Sequence, residues 1–258
     1  MRLATFSPYG LMHREAGLIY LLANFLHKNG AEVFQLRCDG AQPTCARIAE
    51  MGGVRTPFLC SQCMSEQREL AQWSGAKAKT VSSCLSAEDI SQVSTWLASV
   101  KSEELFRVEF RGSNLWEACR AQFLAQWHLE GGQEIEPHHE ANLRELYSAF
   151  MYTRIATERF VGATKPTLHC VATPADSTSQ AYVVEARRAS AECALFSYFP
   201  DDEIISVETS GSTHRYETRL ILDGITSMRS DPRTWAPEVT AVVHEILSFL
   251  GCAPDRVI

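Results

Sequence analysis

The chain has 258 residues, 45% of them hydrophobic and 21% charged, enough to bury a substantial core in a globular protein. Its net charge of −7 gives no basic footprint, so nucleic acid and anionic membranes are not expected as partners. The longest apolar run, residues 17–26, is too short to span a bilayer and has no small-residue cleavage site behind it, so neither a transmembrane segment nor a secretory signal is expected.

Residues 2–7, "RLATFS", form a strand-like run, and "PYGLMHRE" turns away from it. Apolar residues at Leu18, Ile19, Leu21, Leu22, Phe25 and Leu26 then recur at helical spacing, and Gly30 is placed to cap that helix. "AEVFQLRC" follows as a second strand, which completes a right-handed βαβ unit with a parallel pair. Residues 39–59 show no convincing helix or strand pattern and include Gly52 and Gly53. Residues 86–100 read as a helix opened by Ser86 and Asp89 in a capping box, and residues 137–160 as a longer one. In that longer helix Leu143, Leu146, Tyr147, Phe150, Met151 and Ile155 share a face that suits a helical layer over a sheet.

The strand–helix–strand pattern returns in "PTLHCVAT", "DSTSQAYVVEARRAS" and "AECALFSYF", with Asp176 or Ser177 as the N-cap between them. "PDDE" at residues 200–203 reads as a turn between strands. Residues 237–251 form a last helix between Pro237 and Gly251. The expected fold class is therefore α/β: a single Rossmann-like three-layer domain over residues 1–258, with a mainly parallel sheet, a helical middle layer and a Cys-rich, metal-bound insertion at 38–64.

Nine cysteines, an odd number scattered over a long chain, fit a reducing cytoplasm better than a disulfide scaffold. Cys119, Cys170, Cys193 and Cys252 lie in apolar periodic segments and read as small core residues, while Cys84 is left undecided. Cys38, Cys45, Cys60 and Cys63 differ, because gaps of six, fourteen and two residues bring them together across the irregular segment. A CxxC pair aims two thiolates at one ion, and the preceding pair can close a four-sulfur shell. The readings are a structural zinc, an iron–sulfur cluster, or free thiols and core residues. Four sulfur ligands would leave no open position on a zinc, so that zinc would be structural.

The opening "FSPYGLMHREAGLIYLLANFLHKNGAEVFQLRCDGAQPTC", with "CSQCMSEQREL" behind it, resembles the N-terminal half of bacterial surface-polysaccharide glycosyltransferases of the GT-B class. The likeness continues through "FRGSNLWEACRAQFLAQW", "TKPTLHCVA" and "RLILDGITSMRSDPRTWAPEV". It implies an acceptor-side domain acting on a sugar acceptor of a surface polysaccharide or glycoconjugate. The chain ends soon after Gly251, so the resemblance further implies a nucleotide sugar bound only with a second domain or subunit, and a donor-domain polypeptide or other protein as partner. A non-catalytic zinc-stabilised interaction module and a thiol redox or iron–sulfur protein are the alternatives.

Ligands of open α/β sheets gather at the carboxyl ends of strands, which places residues 8–15 and 174–179 on one edge. His13 could act there as general base for an acceptor hydroxyl and Arg14 could hold an anionic group, against the plainer reading of a solvated loop. Arg111 and Gly112 could turn toward the same edge. Asp176 and Ser177 could bind substrate or cap their helix, and His138 and His139 read as a solvated helix start. No G-x-G-x-x-G, Walker or G-x-S-x-G motif is present.

Overall fold

The computed structural model describes residues 1–8, 14–50, 55–127, 129, 137–172, 176–189, 191–199, 201–202, 204–217 and 237–252. In chain order these run β1 (Arg2–Phe6), α1 (Arg14–Lys28), β2 (Glu32–Arg37), α2 (Ala46–Glu50), α3 (Pro57–Trp73), β3 (Lys77–Thr80), α4 (Ala87–Ser99), β4 (Glu109–Phe110), β5 (Ser113–Asn114) and α5 (Leu115–Trp127). They continue with α6 (Pro137–Thr164), β6 (Leu168–Ala172), α7 (Ser177–Arg188), β7 (Glu192–Phe199), β8 (Ile204–Glu208), β9 (Thr213–Glu217) and α8 (Pro237–Phe249). Among the described residues no helix is long and apolar enough to cross a membrane.

Both βαβ units form, and they are joined at their first strands, since β1 pairs in parallel with β2 on one side and β6 on the other. The resulting seven-stranded sheet has the order β3-β2-β1-β6-β7-β8-β9, parallel from β3 to β7 and antiparallel through β8 and β9. The fold is a mixed α/β one of Rossmann-like kind. Strand order reverses between β1 and β6, which makes their carboxyl ends the topological switch point.

Alternation along each strand sends side chains to two separate cores. Ala4, Phe6, Phe34, Leu36 and Val171 meet α4, α5, α6 and α7 on one face. Leu3, Val33, Leu168, Cys170 and Ala172 meet α1 and α8 on the other. A sheet apolar on both faces gives the near-continuous hydrophobic runs of β1, β2 and β6, as a buried parallel sheet requires. Cys119, Cys170 and Cys193 are buried as core residues, Cys84 is buried with them, and Cys252 packs half-buried against the second core.

The capping signals work as read. Ser86 Oγ accepts from the Asp89 N–H at 3.1 Å and Asp89 Oδ2 accepts from the Ser86 N–H at 2.6 Å, the reciprocal pair of a capping box. Gly30 adopts φ +83° beyond α1, a left-handed conformation that costs glycine little. Asp201 and Asp202 turn between β7 and β8, whose pairing brings Phe199 opposite Ile204.

Three expectations are corrected. His139 is buried, its ring set edge-on to Phe123 at 6.0 Å and tilted against Trp127 at 5.1 Å, so the start of α6 is packed on α5 at this residue; the His138 side chain lies outside the described residues. Arg111 and Gly112 form the two-residue turn of the β4–β5 hairpin, at φ 51° and 75°. They reach Glu158 of α6 (Nη1 to Oε2, 2.8 Å) and Arg188 at the end of α7, which is the edge opposite the carboxyl ends of the strands. Finally, part of the interval 39–59 is helical: it contains α2 and the start of α3.

His169 lies in the centre of the sheet on β6, fully buried, with Nδ1 2.7 Å from Tyr182 Oη. Burial lowers its pKa from 6.5 to about 4. The folded chain therefore keeps His169 neutral, while an unfolded chain takes up a proton as pH falls below about 6.5. Stability is lost from about pH 6.5 down to about pH 4, by an amount on the order of 2–3 kcal/mol, and no further below that. Buried Asp176 works in the opposite sense, because its raised pKa favours the folded state as it becomes protonated. The readout is therefore a difference: urea unfolding between pH 7 and 4.5 should show a smaller acid loss in His169→Gln than in the parent chain. Equal losses would exclude His169 as the source.

Candidate functional site

The segment after β2 folds back over the carboxyl ends of β1 and β2. Cys38 and Gly40 follow β2, Cys45 precedes α2, and Cys60 and Cys63 sit near the start of α3, where Thr56 Oγ1 caps by accepting from the Leu59 N–H at 3.2 Å. Pro57 occupies the first helical turn, where a missing N–H costs nothing. The CxxC pair is thus a helical i, i+3 pair and not a loop turn, and Gln67 continues the same face.

Polar contacts stitch this segment together. Arg55 Nη2 donates to the Gly40 carbonyl at 2.6 Å and its Nη1 to the Gln42 carbonyl at 3.3 Å. Gln42 Nε2 donates to Thr153 Oγ1 on α6 at 2.8 Å, which ties the segment to the helical layer. Gln67 Nε2 stands 3.3 Å from both the Pro8 carbonyl and Cys63 Sγ. Ile48 and Leu59 are the buried hydrophobic residues here among those described between Cys38 and Cys63.

All four cysteines line one cavity, which leaves room of about 30 Å³. A single water needs roughly 10–15 Å³ on the same measure, while small-molecule pockets run to about 300–1,000 Å³. The cavity therefore suits an ion or a water and excludes a sugar. Its donors are soft sulfurs, and three already receive hydrogen bonds that stabilise negative charge: Cys38 Sγ from the Gly40 N–H at 3.3 Å, Cys63 Sγ from Gln67 Nε2 at 3.3 Å, and Cys45 from the Ile48 N–H. Gln42 Oε1, Gln67 Oε1 and Arg47 Nε are buried in or beside it without a hydrogen-bond partner. Among the described residues no three His, Cys, Asp or Glu side chains are already gathered into an ion's coordination sphere, so an ion would have to draw the sulfurs inward.

Cys38 and Cys45 are half-buried as residues, but their sulfurs are enclosed, and this desolvation pushes the thiols up to about 11 and about 12. Both are protonated thiols near neutral pH unless a cation displaces the proton. Cys45 also feels the Asp176 carboxylate, which places the cavity close to the start of α7.

Asp176 is the N-cap of α7. Its Oδ1 accepts from the N–H groups of Thr178 and Ser179 at 2.8 and 3.1 Å and from Thr178 Oγ1 at 2.6 Å, and Oδ2 lies 2.6 Å from Ser179 Oγ. Burial raises its pKa against the pull of these bonds. Ser177 is fully buried, its N–H and hydroxyl both donating to Gln122 Oε1 at 2.9 and 2.7 Å. Neither side chain reaches solvent in this arrangement. His13 lies outside the described residues, as does the Arg14 side chain, although Arg14 begins α1 at the carboxyl edge. Sequence reasoning missed Arg47, Gln42, Gln67 and Gln122, all of which project from segments whose facing becomes evident only once α2, α3 and α5 are placed.

Fold and site together define a mostly parallel α/β protein with a four-cysteine cavity over the carboxyl ends of β1 and β2. No family model matches the chain, and no curated protein does. Two solved structures are similar to it: the zinc-inhibited form of teicoplanin deacetylase Orf2, and a deacetylase–bog complex from the teicoplanin biosynthesis pathway. Each is 12% identical, with a TM-score of 0.40 over 83% of this chain and 72% of the other.

Proposed function

We propose that the chain is the acceptor-side domain of a GT-B type glycosyltransferase acting on a surface polysaccharide or glycoconjugate, stabilised by one zinc ion on Cys38, Cys45, Cys60 and Cys63. The observation that supports the metal reading is that these four cysteines, from three separate segments, line one ion-sized cavity. Zinc fits this donor set because it accepts four thiolates without a redox change, and a closed shell gives it a structural task. It would fix the segment over the switch point, beside the edge where His13 and Arg14 would meet an acceptor.

The glycosyltransferase reading is supported by where the resembling sequence falls: its opening stretch runs from the last residue of β1 through α1 and β2 into the cysteine segment, the elements that border that edge. A donor half and a cytoplasmic setting belong to the same proposal. A second reading, a zinc-stabilised interaction module, draws on Phe58, which stands 79% exposed on the first turn of α3.

Titration of isotope-labelled protein with oligosaccharides from bacterial surface polysaccharides separates the two. Amide shifts at Ser7 and Ala172, reduced in His13→Ala/Arg14→Ala without a change of more than a few degrees in melting temperature, are expected for acceptor binding. Shifts absent with every sugar would overturn the glycosyltransferase reading and leave the interaction module.

A further inference from the structure

Arg47 lines the cysteine cavity from α2 with its side chain only 2% exposed. A guanidinium stays protonated in proteins, and a buried charge is costly unless it is paired. Among the described residues its ion pair is with Glu66 Oε2, 3.4 Å from Nη1, and that carboxylate is itself 22% exposed. Its Nε is buried with no hydrogen-bond partner among the described residues. Among the described residues that line the cavity, Arg47 is also the single one with a charged side chain apart from the cysteines. A partly exposed carboxylate is thus the ion-pair partner that the described residues set against this buried cation.

Four thiolates around a divalent ion present the reverse imbalance, since they leave two surplus negative charges in a site with little water. We infer that Arg47 is the positioning residue of this shell: its guanidinium neutralises part of the thiolate charge and so favours the metal-bound state. The inference rests on the zinc reading above and adds to it an assignment of charge. Glu66 competes for the same guanidinium from the surface side.

The test is competition for zinc between a chelator and the purified chain, at one pH, for the parent and three variants. Arg47→Met keeps the bulk and removes the charge, and should weaken zinc binding about tenfold or more, the size of a charge-assisted hydrogen bond. Arg47→Lys keeps the charge and should recover a large part of that loss, which a purely packing role would not allow. Glu66→Gln lies at the more exposed end of the pair and removes the competing carboxylate, so it should bind zinc more tightly; it also serves if Arg47→Met does not fold. Zinc bound equally by the parent and Arg47→Met, or no tighter binding by Glu66→Gln, would overturn the inference while leaving the zinc reading intact. A parent chain that binds no zinc would sink both.

Discussion

Replacing Arg154 by Ala should lower the free energy of unfolding by about 3–5 kcal/mol, one of the largest losses open to a single substitution here. Arg154 is fully buried on α6, and Nε donates to Glu185 Oε1 at 2.5 Å. Nη2 pairs with the same carboxylate, and Nη1 donates to the Phe110 carbonyl at 3.2 Å and Ser113 Oγ at 2.7 Å. One side chain thus ties α7 and the β4–β5 hairpin to the longest helix. Truncation strands a carboxylate that is only 5% exposed and leaves Arg188, at 3.4 Å, as its ion-pair partner among the described residues. The pair Arg154→Met/Glu185→Leu removes both charges and should lose far less, because an apolar pair leaves no buried charge uncompensated. Urea unfolding of Arg154→Met, Glu185→Leu and the double variant with the parent gives the cycle, and Arg154→Ala measured beside them gives the cost of truncation. A loss below about 1 kcal/mol for Arg154→Ala would show that the pair is not a structural tie.

The second large effect is expected from Cys60→Ser/Cys63→Ser. Between Cys38 and Cys63 the described buried hydrophobic residues are Ile48 and Leu59, against two extensive cores elsewhere. Apolar burial at roughly 1.5–3 kcal/mol per large side chain cannot by itself order a segment of this length. On the zinc reading, metal binding contributes folding free energy directly, so a variant unable to hold the ion should lose several kcal/mol in this segment. The double variant should bind no zinc and exchange its amides faster at residues 38–50 and 55–64 than in β1, β2 and β6. The sheet should persist, because both cores lie under it without support from the cavity. Exchange at unchanged rates would mean that hydrogen bonds such as those of Arg55 and Gln42 suffice.

Part of this structure is legible in the sequence and part is not, for physical reasons. β1, α1 and β2 stand out because a buried parallel pair needs continuous apolar runs and its crossover helix needs a stripe. β3, "KAKT", escapes notice because it is an edge strand with exposed lysines, which protect the edge and erase the pattern. α3 was obscured by its cysteines. Thr56 and Pro57 were the signal of its start, and Cys60, Cys63 and Gln67 then fall at helical spacing on the cavity side. His139 looked solvated because its neighbours in sequence are polar, yet its surroundings come from α5. The Asp176 cap was readable from local sequence, whereas Gln122, which receives Ser177, is distant in the chain.

The central claim is that four thiolates hold one zinc. X-ray absorption at the zinc edge of protein purified without added metal tests it most directly, together with the metal content of the same sample. The account requires about one zinc per chain and a shell of four sulfurs at about 2.3 Å, absent from Cys60→Ser/Cys63→Ser. A shell with nitrogen or oxygen ligands, an iron signal, or no bound metal would contradict it.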